Sequence, residues 1–211
     1  MTKDIIIGID AGTSVIKAVA FSLEGNELVS TSVPNVYNIT EDGKATQSPN
    51  ETWKKCSKII YDLSTKLPDL KKRTLVISIT GQGDGIWLVD KDGEPTCDAW
   101  LWMDSRSSKI AKKLSSLPTE EARFSSTGTG IFGGQQSSQM NFIEAHTPEI
   151  LDKSKTAFHC KDYLYMKLTD VKATDPSEAC MTFGNFRTRK YDDEVIKNIG
   201  LWNRKSLLPD I

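Results

Sequence analysis

The sequence predicts an α/β domain built on a mixed sheet: three antiparallel strands, a crossover helix, then a parallel strand. Three observations carry this. Residues 4–33 alternate β-branched runs with turn residues, residues 48–67 carry a helix start and then apolar positions at helical spacing, and residues 74–80 form another β-branched run. A helix between two strands is the usual way for a chain to add a parallel neighbour to a sheet.

The first run, Asp4 to Ile9, is apolar and isoleucine-rich, which predicts a strand buried on both faces. It ends at Asp10 and turns through Ala11, Gly12, Thr13 and Ser14 into a second strand from Val15 to Phe21. Gly12 permits a tight turn and close approach of a ligand, and the two residues after it offer amides and hydroxyls to an anion. Asp10, at the carboxyl end of the strand, suits Mg²⁺, which keeps several waters and prefers carboxylates. From the residues alone, a phosphate-and-metal hairpin and a plain turn with an exposed acid are equally good readings. Gly25-Asn26 marks a hairpin, and Leu28 to Val33 is the third strand. Pro34 to Gln47 is polar and reads as irregular.

Ser48-Pro49-Asn50-Glu51 starts a helix: Ser as N-cap, Pro at the first helical position, Glu at the third. Its stripe is Trp53, Cys56, Ile60, Leu63 and Leu67, and Pro68 ends it. Lys71-Lys72-Arg73 reads as a solvated turn before the strand Thr74 to Thr80. That strand ends in Gly81-Gln82-Gly83-Asp84-Gly85, which reads either as a ligand-approached loop or as an ordinary Asp-Gly turn. Ile86 to Val89 resumes as a strand. Ala99 to Met103 is a short apolar segment, and Asp104 or Ser105 caps a helix with stripe Ile110, Leu114 and Leu117.

Thr127 to Gly134 holds four glycines in eight residues and predicts a loop of the kind that lines sites. Ser137 or Ser138 opens a helix through Ile143, and Asp162 to Leu168 forms another. Thr174-Asp175-Pro176-Ser177-Glu178 is a further capped start, and Asp192 to Ile199 is a last helix closed by Gly200.

The 211 residues are 38% hydrophobic and 26% charged, with a formal net charge of −1. That balance describes a globular protein with no basic field for nucleic acid or an anionic membrane. No apolar run approaches the length of a membrane span, so a cytoplasmic protein is expected. The four cysteines, Cys56, Cys97, Cys160 and Cys180, lie far apart and read as inert thiols rather than disulfides or metal ligands. His146 and His159 read as structural. Homodimerisation is left open.

Three antiparallel strands, a crossover helix and a further strand are how ribonuclease-H-like (actin-like ATPase) domains begin. The chain resembles the FGGY carbohydrate kinases. The resemblance rests on Gly8-Ile9-Asp10-Ala11-Gly12-Thr13-Ser14, on Ile79-Thr80-Gly81-Gln82-Gly83-Asp84-Gly85, and on Leu101-Trp102-Met103-Asp104-Ser105-Arg106. Lys161-Asp162-Tyr163-Leu164 with Lys167-Leu168-Thr169, and Thr174-Asp175 with Ser177 and Ala179, extend it in the family's order. The Gly-Gln-Gly-Asp-Gly form is most similar to the erythritol kinase group.

The resemblance implies an ATP- and Mg²⁺-dependent kinase for a small sugar or polyol. Asp10 would organise the metal, Gly12, Thr13 and Ser14 would cradle the phosphates, and Lys17 would lie near them. Gln82, Gly83, Asp84, Trp102 and Asp104 would line the acceptor pocket, the indole covering carbon-bound hydrogens and the carboxylates accepting from hydroxyls. Read without the family, Trp102 is core, Asp104 a helix cap and Asp84-Gly85 a turn. Nothing after Leu201 resembles the family's glycine-rich base segment. Residues 1–211 are therefore expected to be an N-terminal, acceptor-binding domain, cut before the catalytic base and the nucleotide-binding domain and inactive by itself. The alternative is a non-catalytic module that binds a polyol or a partner.

Overall fold

The computed structural model describes residues 3–211. The chain divides into two compact units, one of the described residues up to Tyr37 with Ser48–Gln82, the other of Asn38–Gln47 with Gly83–Ile211.

The first unit is a four-stranded sheet and its helix. Strands β1 (Ile5–Ala11), β2 (Val15–Ser22) and β3 (Glu27–Pro34) form the expected antiparallel meander. The strand after the helix, Thr74–Gly81, lies parallel to β1 and gives the order β3-β2-β1-β6, with β4 (Asn38–Ile39) and β5 (Ala45–Gln47) belonging to the other unit. Helix α1 (Pro49–Lys66) begins as read: the Ser48 hydroxyl accepts the Glu51 N–H at 3.3 Å, and Pro49 loses no hydrogen bond at the first position.

The stripe α1 buries is Thr52, Cys56, Ile59 and Leu63: Cys56 and Leu63 as expected, Thr52 and Ile59 in place of Trp53 and Ile60. Thr52 Oγ1 donates to Ser48 O, and Thr31 Oγ1 donates to Ile59 O at 3.0 Å. The second bond ties that side of the helix to β3, and Trp53, Ile60 and Leu67 are left partly buried. A short helix α2 (Leu70–Arg73) takes the place of the expected solvated turn, and Arg73 makes a bidentate pair with Asp4 at 2.7 and 3.0 Å.

Strand β1 is not buried on both faces. Ile5, Ile7, Ile9 and Ala11 are at most 2% exposed, whereas Ile6 and Gly8 are half-buried and Asp10 is exposed. Each of the buried isoleucines contributes about 1.5–3 kcal/mol. Edge strand β6 is more open, with Leu75, Val76 and Ile77 exposed by 52%, 47% and 39%.

In the second unit, β4 and β5 pair across Gly43 (φ +84°) where the sequence predicts irregular chain, and β5 pairs with β8 (Ala99–Trp100). Strand β7 (Trp87–Val89) pairs antiparallel with β9 (Thr156–Phe158). The helices are α3 (Ser108–Leu114), α4 (Glu120–Thr127), α5 (Gln136–His146), α6 (Pro148–Lys153), α7 (Cys160–Thr169), α8 (Pro176–Phe183) and α9 (Asp193–Asn198). The start at Asp175 is capped as read, its side chain accepting the N–H groups of Ser177 and Glu178, and Asp192 likewise accepts those of Glu194 and Val195. Ile86, Leu88, Met140, Ile143, Phe183 and Ile196 make the core, beside Trp87 stacked at 5.6 Å on Tyr163.

The cysteines are all free thiols, and burial pushes Cys56 and Cys97 up to about 11, out of the reactive range. Among the described residues no helix is long and apolar enough to cross a membrane, and no group of His, Cys, Asp or Glu forms a metal cluster.

Candidate active-site elements

The candidate residues fall in both units, and each set is built locally. In the first unit the β1–β2 hairpin carries Asp10 exposed near the strand end, then Gly12, Thr13 and Ser14 in the turn. A Cβ on Gly12 would lie 2.9 Å from the Val15 carbonyl oxygen, so the turn requires glycine. The hairpin is clamped from two sides. Thr13 Oγ1 donates to Gln82 Oε1 at 3.0 Å, and the Gln82 N–H donates to Ala11 O at 3.0 Å. Asn35 donates its side-chain amide to Gly12 O at 3.1 Å and its backbone N–H to Ser14 O at 2.7 Å.

Gln82, expected in the acceptor pocket, is bonded to the β1–β2 hairpin. Asn35 was missed altogether; its only signal is its place just past β3. Lys17 pairs in register opposite Asp10, and both are exposed. With Gly8, Phe21, Ser78 and Thr80 they line a groove of about 230 Å³ on the open face of the sheet.

In the second unit Asp84 and Gly85 both take positive φ, +54° and +77°. That is the geometry an Asp-Gly turn adopts, yet the strands on either side do not pair with each other: Ile86 bridges Trp100 instead. A Cβ on Gly85 would lie 2.4 Å from Trp100 O, and one on Gly134 would lie 1.6 Å from Trp102 O. The glycine-rich loop after α4 therefore presses backbone to backbone on the segment that carries Trp102. Gly83 is different: it is exposed, and an added Cβ would touch nothing within 4 Å. Trp102 is 47% exposed and so is not core.

Asp104, expected to line the acceptor pocket, is buried and fully engaged with neighbouring groups. It is 1% exposed and accepts from the Ala45 N–H at 2.9 Å, the Arg106 N–H at 3.1 Å and the Arg106 guanidinium at 2.7–3.1 Å. Arg106 in turn lies 3.4 Å over the Trp100 ring. Asp104 ties the stretch that holds Ala45 to the stretch that holds Trp100 and Arg106. The sequence also gave no warning of the polar start of α5, where Gln135 through Gln139 are buried. Gln139 donates to Leu101 O at 2.9 Å, and its Oε1 and the Ser138 hydroxyl have no hydrogen-bond partner among the described residues.

Asp84 is the acid whose environment is most unusual. Its Oδ1 is buried without a partner, and burial pushes the carboxyl up while the charge of His159 pulls it down. Two further motifs meet at α7 and α8: Lys161 bridges Asp162 and Asp175, and Asp162 accepts from Thr174 Oγ1 at 3.0 Å. Burial alone would raise Asp162, but His159 and Lys161 hold it below the ordinary carboxylate value.

A family model for the N-terminal domain of the FGGY family of carbohydrate kinases matches residues 5–211. The erythritol kinase of Brucella abortus (strain 2308) is 53% identical over 208 residues, 99% of this chain and 40% of its own length. A xylulose kinase of Staphylococcus epidermidis (strain ATCC 12228 / FDA PCI 1200) is 33% identical over 95% of this chain and 39% of its own. The chain thus spans about two fifths of the length of these relatives. Among solved structures, a xyloylose kinase from Brucella ovis superposes with a TM-score of 0.89 at 23% identity, covering 98% of this chain and 42% of that one. Glycerol kinase of Plasmodium falciparum with ADP gives 0.86 at 21%, covering 100% and 43%. These likenesses show the fold, the actin-like ATPase class with its mixed sheet.

Proposed function

The chain belongs to the FGGY family of carbohydrate kinases, and from that premise we propose that it is the acceptor-binding domain of an ATP-dependent kinase for a small polyol such as erythritol. The observation that carries this is the 53% identity to an erythritol kinase across 99% of the chain. In this reading residues 1–211 form the N-terminal domain of a cytoplasmic enzyme, and the general base and nucleotide-binding domain are supplied outside these residues.

The hairpin fits the group it would hold. A single exposed carboxylate with two hydroxyl residues beside a glycine turn suits Mg²⁺, which is bound by one or two carboxylates together with substrate phosphates. Asp10 would hold the metal, and Gly12, Thr13 and Ser14 would face the phosphates, with Lys17 nearby. The metal would neutralise charge developing on the transferred phosphoryl group. Gln82 and Asn35 keep the turn rigid, so its amides need no reorganisation when the phosphates arrive. On the acceptor side Trp102 offers an indole face, Gly83 leaves room for close approach, and Asp84 accepts hydrogen bonds from hydroxyls. Asp104 acts on that side by positioning the Trp102 segment.

Asp84→Ala in the full-length protein tests the acceptor assignment. Loss of a charge-assisted hydrogen bond predicts a fall in kcat/KM for a four-carbon polyol of about ten- to a hundredfold, with Tm nearly unchanged. A lowered Tm with parental kinetics would make Asp84 a turn residue only. Asp84→Asn keeps the side chain that tolerates positive φ but removes the charge, so parental kinetics in that variant would also overturn the assignment.

A further inference from the structure

Helix α5 buries two glutamines where an amphipathic helix carries apolar residues. Gln136, Gln139, Met140 and Ile143 are at most 1% exposed and stand at the spacing of a core stripe. Both side-chain amides are engaged with chain carbonyls. Gln136 Nε2 donates to Phe158 O at 2.9 Å, and Gln139 Nε2 donates to Leu101 O at 2.9 Å. The second bond leaves Gln139 Oε1 buried without a hydrogen-bond partner among the described residues. The carbonyl acceptor sets which way this amide points, since the flipped form would set oxygen against oxygen. Native interiors leave few buried polar atoms unpaired, and an apolar side chain of similar size would leave none here.

The carbonyl that Gln139 holds closes a turn. Trp102 and Met103 are its two central residues, and the Asp104 N–H donates back to Leu101 O at 3.0 Å. Leu101 O therefore accepts twice, once from the end of its own turn and once from α5. The turn is gripped from a second side as well. A Cβ on Gly134 would lie 1.6 Å from Trp102 O, so that carbonyl rests on the backbone just before α5. Gly134 O in turn accepts the Gly85 N–H at 2.9 Å. The indole carried by this turn is 47% exposed. A half-exposed side chain keeps a binding geometry only if the residues behind it hold its backbone in place.

We propose that Gln139 is a positioning residue for Trp102: its amide locks the Leu101–Asp104 turn, and through it the indole face that meets the carbon-bound hydrogens of the acceptor. The unpaired Oε1 follows from placing a donor, and not an apolar group, behind Leu101. The hold on the turn is independent of the reaction; its part in acceptor binding rests on the proposed kinase function.

Gln139→Met keeps an unbranched side chain of similar length but donates nothing to Leu101 O. In the full-length protein this variant should raise KM for erythritol about three- to tenfold, the net worth of one neutral hydrogen bond. The indole contacts substrate and transition state alike, so kcat should stay within about twofold. Tm should hold or rise, because a buried unpaired oxygen has gone. Hydrogen exchange read by mass spectrometry should quicken in peptides spanning Leu101 to Asp104 and stay unchanged over α7. Parental KM overturns the proposal, whether or not the turn exchanges faster, and so does a KM that rises only in step with a falling Tm.

Gln139→Glu supplies a second check should the Met variant fold poorly. A protonated carboxyl can donate to Leu101 O as the amide does, whereas a carboxylate can only repel it. Burial raises such a carboxyl, so KM relative to the parent should climb with pH between about 5 and 9. A constant ratio across that range overturns the proposal. Faster exchange at the turn in a full-length protein that phosphorylates no polyol supports the hold on Trp102 and overturns the kinase reading.

Discussion

Asp10→Asn in the full-length protein is expected to lower kcat by about 10²–10³-fold, the usual cost of removing a preorganised group from a charge-stabilising site. KM for the acceptor should move by no more than about threefold, because a carboxylate acting on the metal contributes in the transition state and not to uniform binding. The motive is local: Asp10 is exposed at the end of β1, one residue before a turn that only glycine can make and that Gln82 and Asn35 clamp. Stability should hardly change, since an exposed strand-end acid has no buried partner to abandon. Steady-state kinetics over a range of polyol and Mg·ATP concentrations decide it. A variant within a few-fold of the parental kcat would leave Asp10 as a strand-end acid.

Asp104→Ala should have its large effect on stability, about 3–5 kcal/mol, the range found when one partner of a buried ion pair is removed. The side chain is 0% exposed, and its loss strands the Ala45 N–H and the Arg106 guanidinium together. Arg106 keeps its seat over the Trp100 ring, which recovers only part of the loss. Urea unfolding should show a lower midpoint at an unchanged m-value. A loss below about 1 kcal/mol would mean that water replaces the carboxylate at little cost. Asp10 and Asp104 therefore separate cleanly, one acting on turnover and the other on folding.

Features encoded by neighbours in sequence were legible. The hairpin of β1 and β2, the Ser48 cap and Pro49 start of α1 and the Asp175 cap of α8 each depend on residues close together in the chain. What was not legible depends on remote partners. Asp104 reads as a pocket acid or a cap until Ala45, fifty-nine residues earlier, is seen to donate to it. Gln82 reads with Gly83 and Asp84 as one motif, but it bonds to Thr13 and falls with the first unit, while Gly83 begins a stretch of the second. The stripe of α1 keeps Cys56 and Leu63 but takes Ile59 in place of Ile60, on the side where Thr31 of β3 donates to Ile59 O.

Strand β6 has a consequence for handling the protein in solution. Thr74–Gly81 contains no charged residue and no proline, pairs among the described residues with β1 alone, and exposes Leu75, Val76 and Ile77. An uncharged, apolar edge of that length is a template on which other chains add strands, the usual first step toward aggregates. Concentrated solutions of the 211-residue chain are therefore expected to scatter light increasingly with time. Val76→Lys should suppress this, because a lysine on an edge strand must be desolvated by any incoming chain. Equal scattering from the variant and its parent, at matched concentration and Tm, would show that some other surface recruits the neighbours.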